Sequence, residues 1–189
     1  MNKKILLTII VITLFFTINM KAQKSISLGF YNGSIGIPFT YLTKSTIHPA
    51  LQVGVTLRES GQKWKKSFGV DAYYHYQRLT EHSLMLDGNF HWGYQFGKDL
   101  RIRLTTALGA KLVRLPGTEY KLENGNYIEA NHPGSLQGNM KLGLGLTYPL
   151  STNLMITTDY KFMVSGPSGG LFLPININTF FGIGLNYHI

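Results

Sequence analysis

The stretch Leu84-Met85-Leu86-Asp87-Gly88-Asn89-Phe90-His91-Trp92-Gly93-Tyr94-Gln95-Phe96 decides the fold. Leu84, Leu86, Phe90, Trp92, Tyr94 and Phe96 share one parity, interrupted only at Gly88. Asp87, Asn89, His91, Gly93 and Gln95 share the other. A period of two held over thirteen residues makes a strand with one oily face and one wet face. In a soluble protein the oily face meets a core. Here large aromatics and leucines recur on one parity in strand after strand, with ionised groups confined to the other. That is the pattern of a transmembrane β-barrel, apolar outside and polar within.

The flanking chain repeats it. On one side, Phe68, Val70, Ala72, Tyr74 and Tyr76 oppose Gly69, Asp71, Tyr73, His75 and Gln77. On the other, Leu100, Ile102, Leu104, Leu108, Ala110 and Leu112 oppose Arg101, Arg103, Thr105, Gly109 and Lys111. Further on, Leu136 to Tyr148 sets Leu142, Leu144 and Leu146 against Gln137, Asn139 and Lys141, and Leu154 to Phe162 sets Ile156 and Tyr160 against Asp159 and Lys161. A charge on the lipid face near mid-bilayer costs about 2–4 kcal/mol, so this segregation is what a membrane demands. Leu51 to Leu57, with Arg58 read inward, and Ile177 to Ile189 complete the flanks. Near the N-terminus, Ile26, Leu28 and Phe30 use even parity while Ile35, Ile37, Phe39 and Tyr41 use odd. A bulge or turn at Asn32-Gly33 would reconcile them within one kinked strand over residues 25–42. The sum is an all-β, eight-stranded antiparallel up-and-down barrel. A soluble lipocalin-like barrel would place the charge outside and the apolar residues inside.

Connection lengths orient it. Gly97-Lys98-Asp99 and Pro149 to Asn153 are short, whereas Pro116 to Gly134 and Val164 to Pro174 are long. Such barrels keep short turns periplasmic and long loops outside, and an even strand number leaves both termini periplasmic. Residues 116–134 lack a sustained period and read as a surface loop. Tyr94, Phe96, Tyr148 and Tyr187 fall at the predicted inner ends of strands, and Tyr74, Tyr76, Tyr160 and Phe162 at the outer ends, forming two interfacial girdles. Gln62-Lys63-Trp64-Lys65-Lys66 sits on a predicted inner turn, where Trp and Lys anchor against anionic headgroups.

Residues 1–22 read as a signal peptide: Lys3 and Lys4, an apolar run from Ile5 to Ile18, and Met20-Lys21-Ala22 before Gln23. The run is shorter than the ~20 residues a helical span needs. The barrel domain is then 23–189. Of 18 Lys+Arg and 9 Asp+Glu, the leader removes three lysines and no acids, leaving 15 against 9, a net +6. The basic residues are scattered and accompany no nucleic-acid motif, so no nucleic-acid partner is expected. With no cysteine, thiolate metal sites and disulfides are excluded. Closure of the barrel is what holds the chain together. The Gly166-Pro167-Ser168-Gly169-Gly170 run lacks the Lys-Ser/Thr and helix of a phosphate loop.

Eight strands leave an interior that side chains fill. The inward parity carries a polar cluster of Asp71, His75, Asp87, His91, Arg101, Arg103, Lys141 and Asp159. Buried charges need partners, so the cluster reads as a plug of ion pairs and hydrogen bonds. A connection centred near Thr80 would put Asp71 opposite Asn89, and one centred on Lys98 would put Arg103 opposite Gly93. The repeated Asp71/His75 and Asp87/His91 spacing also suits a divalent-ion or proton site. The neighbouring arginines would repel a cation, and no metal or cofactor is assigned.

With its leader, its eight alternating segments and a last strand ending Leu185-Asn186-Tyr187-His188-Ile189, the chain resembles the small bacterial outer-membrane β-barrels of the OmpA/OmpX type. The resemblance implies a cell outer-membrane location among outer-membrane lipids and lipopolysaccharide. It also implies delivery by the barrel insertion machinery and contact with an envelope protein partner through the long loops. The role it implies is structural or accessory and non-enzymatic. A narrow channel for small solutes is the alternative. Some barrels of this size are enzymes acting on lipid A with a Ser and a His at the outer interface. Here His82 with Ser83 and His132 with Ser135 are the candidates for that second alternative. Neither pair has an acid to orient the imidazole, and adjacent strand residues point to opposite faces, so no catalytic residue is assigned.

Overall fold

The computed structural model describes residues 24–36, 47–78, 81–97, 99–114, 116–117, 119–123, 125–130, 134–166 and 175–189. The leader at 1–22, residues 37–42 of the first segment and residues 167–174 of the last long loop lie outside them. The strands are β1 (Ser25–Ile35), β2 (Pro49–Ser60), β3 (Trp64–Gln77), β4 (Glu81–Phe96), β5 (Leu100–Arg114), β6 (Glu119–Glu123), β7 (Asn126–Ala130), β8 (Ser135–Pro149), β9 (Leu154–Gly166) and β10 (Asn176–His188).

Eight of these close a barrel in the ring order β1-β10-β9-β8-β5-β4-β3-β2, and β6 with β7 forms a separate hairpin. The first and last barrel strands pair from Ser25↔His188 to Ile35↔Asn178. Among the described residues no barrel strand is left with an unpaired edge, which is how a sheet survives without water. The chain ends lie at the same end of the barrel as the short turns after β2, β4 and β8. In the last of these the Leu150 and Ser151 amides donate to the Leu154 carbonyl at 2.8 and 3.0 Å.

Burial follows the alternation. Leu28, Leu86 and Leu144 are 59%, 60% and 61% exposed, while Lys111 and Asp87 are 0% and 1%. Apolar side chains therefore ring the outside and charged ones line the inside. Tyr31, Tyr73, Met85, Met163 and Phe180 form a small apolar cluster within the lumen.

Four details depart from the sequence expectations. The β1–β10 register runs through Asn32 and Gly33 without a bulge or turn. At that point the Gly33 amide donates to the His48 carbonyl (2.8 Å) and the His48 amide to Asn32 Oδ1 (2.7 Å). The β3–β4 ladder closes at Gln77↔Glu81, so Asp71 faces Asp87 instead of Asn89. The β4–β5 ladder does set Gly93 opposite Arg103.

The third departure is a bulge. The β2–β3 register shifts between Thr56 and Arg58, so Leu57 is an extra residue and parity inverts after it. Arg58 is thereby turned outward and exposed, and Glu59 inward. The fourth lies in residues 116–134, where Glu119↔Ala130 to Glu123↔Asn126 make the β6–β7 hairpin. Five-residue strands are too short to register a period. The Asn-Gly sequence at 124–125, with Gly125 at φ 83°, was the available signal.

Candidate functional site in the lumen

Three tiers of charge fill the barrel. At the end bearing the long connections, Lys111 meets Glu81 at 2.7 Å. Ser83 Oγ donates to the same carboxylate at 3.3 Å, and His75 Nδ1 lies 3.4 Å from it. The His75 ring packs edge-on against Phe180 at 5.3 Å.

The middle tier is the densest. Lys141 is ion-paired with Asp87 and sits 3.5 Å from the centroid of the Tyr73 ring, where the ring quadrupole attracts it. Arg103 Nη2 donates to both oxygens of Asp159 at 2.7 and 3.0 Å. Lys161 donates to the hydroxyls of Tyr31 (2.8 Å) and Tyr73 (3.1 Å). The Tyr31 hydroxyl in turn lies 3.0 Å from both Gln52 Oε1 and Asp159 Oδ2, and Tyr73 donates to Asp71 at 3.2 Å. At the short-turn end, Glu59 holds Lys65 at 3.0 Å and Arg101 at 3.2 Å.

These bonds reach across the lumen. Lys161 on β9 and Tyr73 on β3 are four places apart in a ring of eight strands, the full diameter. Arg101 on β5 and Glu59 on β2 are three apart. Glycines make the room. Asp71 faces Gly54, Asp87 faces Gly109 and Asp159 faces Gly145 across their ladders, and a Cβ on any of the three would collide with the Oδ1 it faces. The long basic arms need such room too. Gly143, where a Cβ would come within 2.8 Å of Lys161 Cγ, serves that purpose, but the carboxylates use it equally. Among the described residues, small polar cavities lie toward the short-turn end, two of which bear on the charged tiers. One is lined in part by Glu59, Lys65, Arg101 and Thr147, the other by Asp71, Asn89, Asp159 and Lys161, and both touch His91 and Arg103. Each has room for one or two waters.

Of the eight inward residues singled out in the sequence, the fold joins Asp87 to Lys141 and Arg103 to Asp159, with Asp71 opposite Asp87. Arg101 belongs to the lower tier. The two histidines do not meet: His75 faces the Glu81 tier, and His91 bonds Thr105 at 2.8 Å. Among the described residues no three metal-ligating side chains converge. Glu81 and Phe180 were overlooked although they lie on inward parities. Glu59 was hidden by the bulge, which leaves no mark in the alternation.

Of the pairs considered for lipid chemistry, the one at residues 82 and 83 is divided. His82 lies outward, 3.1 Å from the Tyr74 hydroxyl and edge-on to Tyr76 at 4.6 Å, while Ser83 is buried in the lumen. His132 lies outside the described residues. The basic cluster at 62–66 is divided as well: Trp64, Lys65 and Lys66 belong to β3, with Lys65 drawn in to Glu59 and Lys66 exposed.

No family model and no curated protein matches the chain. Solved structures do. Outer membrane protein H (OprH) from P. aeruginosa is 15% identical, with 89% of this chain and 100% of that one covered at a TM-score of 0.51. The outer membrane enzyme PagL is 14% identical, covering 87% and 99%, with a TM-score of 0.51. Neisserial surface protein A (NspA) is 10% identical, covering 87% and 95%, with a TM-score of 0.50. The fold is that of the small eight-stranded outer-membrane β-barrels. With apolar side chains turned outward around the barrel, the outer surface is that of a barrel surrounded by lipid.

Proposed function

We propose that the protein is a non-enzymatic outer-membrane barrel with a structural or accessory role in the cell envelope, closed to solutes. The observation that carries this reading is the side-chain bridge across the full diameter, Lys161 to Tyr73, flanked by Lys141–Asp87 and Arg103–Asp159. Buried charges so paired close the tube and hold its strands in register. In this reading residues 1–22 are cleaved on export and the barrel insertion machinery receives the last strand. The short turns and both termini then lie in the periplasm. The β6–β7 hairpin faces outward toward lipopolysaccharide and a protein partner of the envelope.

Planar-bilayer recording tests it. The wild-type barrel is expected to give no unitary current steps, and Lys161→Ala/Tyr73→Ala/Lys141→Ala to give small ones. Stable steps from the wild type would replace this reading with that of a narrow channel. The similarity to an enzyme, PagL, supplies a second check. Lipid A from expressing cells should keep its acyl pattern. Loss of an acyl chain that His82→Ala or His132→Ala restores would make the protein a lipid A-modifying enzyme.

A further inference from the structure

The bulge at Leu57 does two things in one residue step. It brings Glu59 inside as the anion for Lys65 and Arg101, and it places Arg58 on the outer face. There Arg58 stands opposite Phe68, one place along the same face of β3 from Lys66, which lies opposite Ser60 on one side and Trp92 on the other. Diagonal neighbours on one sheet face are ~7–8 Å apart, close enough for both long arms to converge on one group. Among the described residues neither Arg58 nor Lys66 has a carboxylate partner, unlike Lys65 and Arg101.

Their depth is set by the aromatics. Trp64, exposed and stacked edge-on against Tyr94 at 4.9 Å, marks the short-turn girdle, and Tyr74 on the same strand marks the opposite one. Ten residues at about 3.4 Å with a strand tilt of about 40° separate them by about 26 Å, the height of the apolar band. Lys66 lies two residues inside Trp64, so its amine and the Arg58 guanidinium reach the headgroup layer by extending along the apolar surface. Two unpaired cations at that level, one a planar fork suited to phosphate, beside an interfacial Trp, make an anion site at the height of the lipid headgroups.

We infer that Arg58 and Lys66, with Trp64 as the flanking aromatic, bind the phosphate of an anionic phospholipid in the periplasmic leaflet. The leaflet rests on the orientation proposed above. The bulge therefore serves recognition of the membrane as well as the lumen's charge balance.

The full-length barrel, reconstituted in mixed phosphatidylglycerol/phosphatidylcholine nanodiscs and released for native mass spectrometry, should retain phosphatidylglycerol selectively. Arg58→Gln/Lys66→Gln should lower that selectivity by about tenfold, as loss of charge-assisted hydrogen bonds implies. Arg58→Lys should fall between the two, and Lys63→Gln, in the turn, should change little. Lys66→Gln alone serves if the double variant does not fold. Unchanged selectivity in the folded Gln variants, or an equal loss with Lys63→Gln, overturns the proposal. Orientation is read separately, because the chain has no cysteine. Gln62→Cys should resist an impermeant maleimide on intact cells. Labelling from outside would move the pair to the other leaflet and overturn the orientation together with the phospholipid source. If Gln62→Cys stays unlabelled while the folded Gln variants keep the wild-type selectivity, the site alone is overturned and the orientation stands.

Discussion

Lys141 shows how far single residues control this barrel. Its side chain is 2% exposed, paired with Asp87 and laid on the face of Tyr73. Replacing one partner leaves a buried charge uncompensated, which costs about 3–5 kcal/mol, whereas replacing both with apolar groups is near neutral. Lys141→Met should therefore lower the unfolding free energy in detergent by that amount, and Asp87→Leu/Lys141→Met should recover most of it. A double variant no more stable than the single one would show that the pair does not act as a unit. The inward parity of Asp87 and Lys141 was legible in the alternation. Their pairing was not, because β4 and β8 are separated in the ring by β5 and no local spacing encodes a reach across a third strand.

Among the elements, β2 departs most from the expected pattern. Thr56↔Gly69 is followed directly by Arg58↔Phe68 and Glu59↔Ser67, so the ladder is regular once Leu57 is left out. Deleting Leu57 should preserve every facing on β2, keep Glu59 against Arg101, and yield a folded, heat-modifiable band on gels. Deleting Val53 from the same strand should abolish that band, because a one-residue slip sends each later side chain to the wrong face. Equal effects of the two deletions would refute the bulge. Alternation alone could not locate it: Leu57, Arg58 and Glu59 read as an ordinary out-in-out run until the partner strand fixes which residue is extra. The hairpin was missed for a different reason, its strands being too short for a period although Asn-Gly stood between them.

At the scale of the whole molecule, stability depends on an outer surface that water would reject. Leu142 is 51% exposed midway along β8, where lipid tails cover it. Leu142→Arg should cost about 2–4 kcal/mol in refolding into vesicles. A cost near zero would place that face in water and remove the membrane reading. The sequence by itself determined the barrel, its strand number and which parity faces lipid, because a medium without hydrogen-bonding partners imposes its demand on every residue of every strand. Only the tertiary structure decided who meets whom inside: Asp71 opposite Asp87, Lys161 spanning to Tyr73, Glu59 drawn in and Arg58 turned out. Those outcomes depend on register and on ring closure, which bring together side chains far apart in the chain and leave no periodic trace within any one strand.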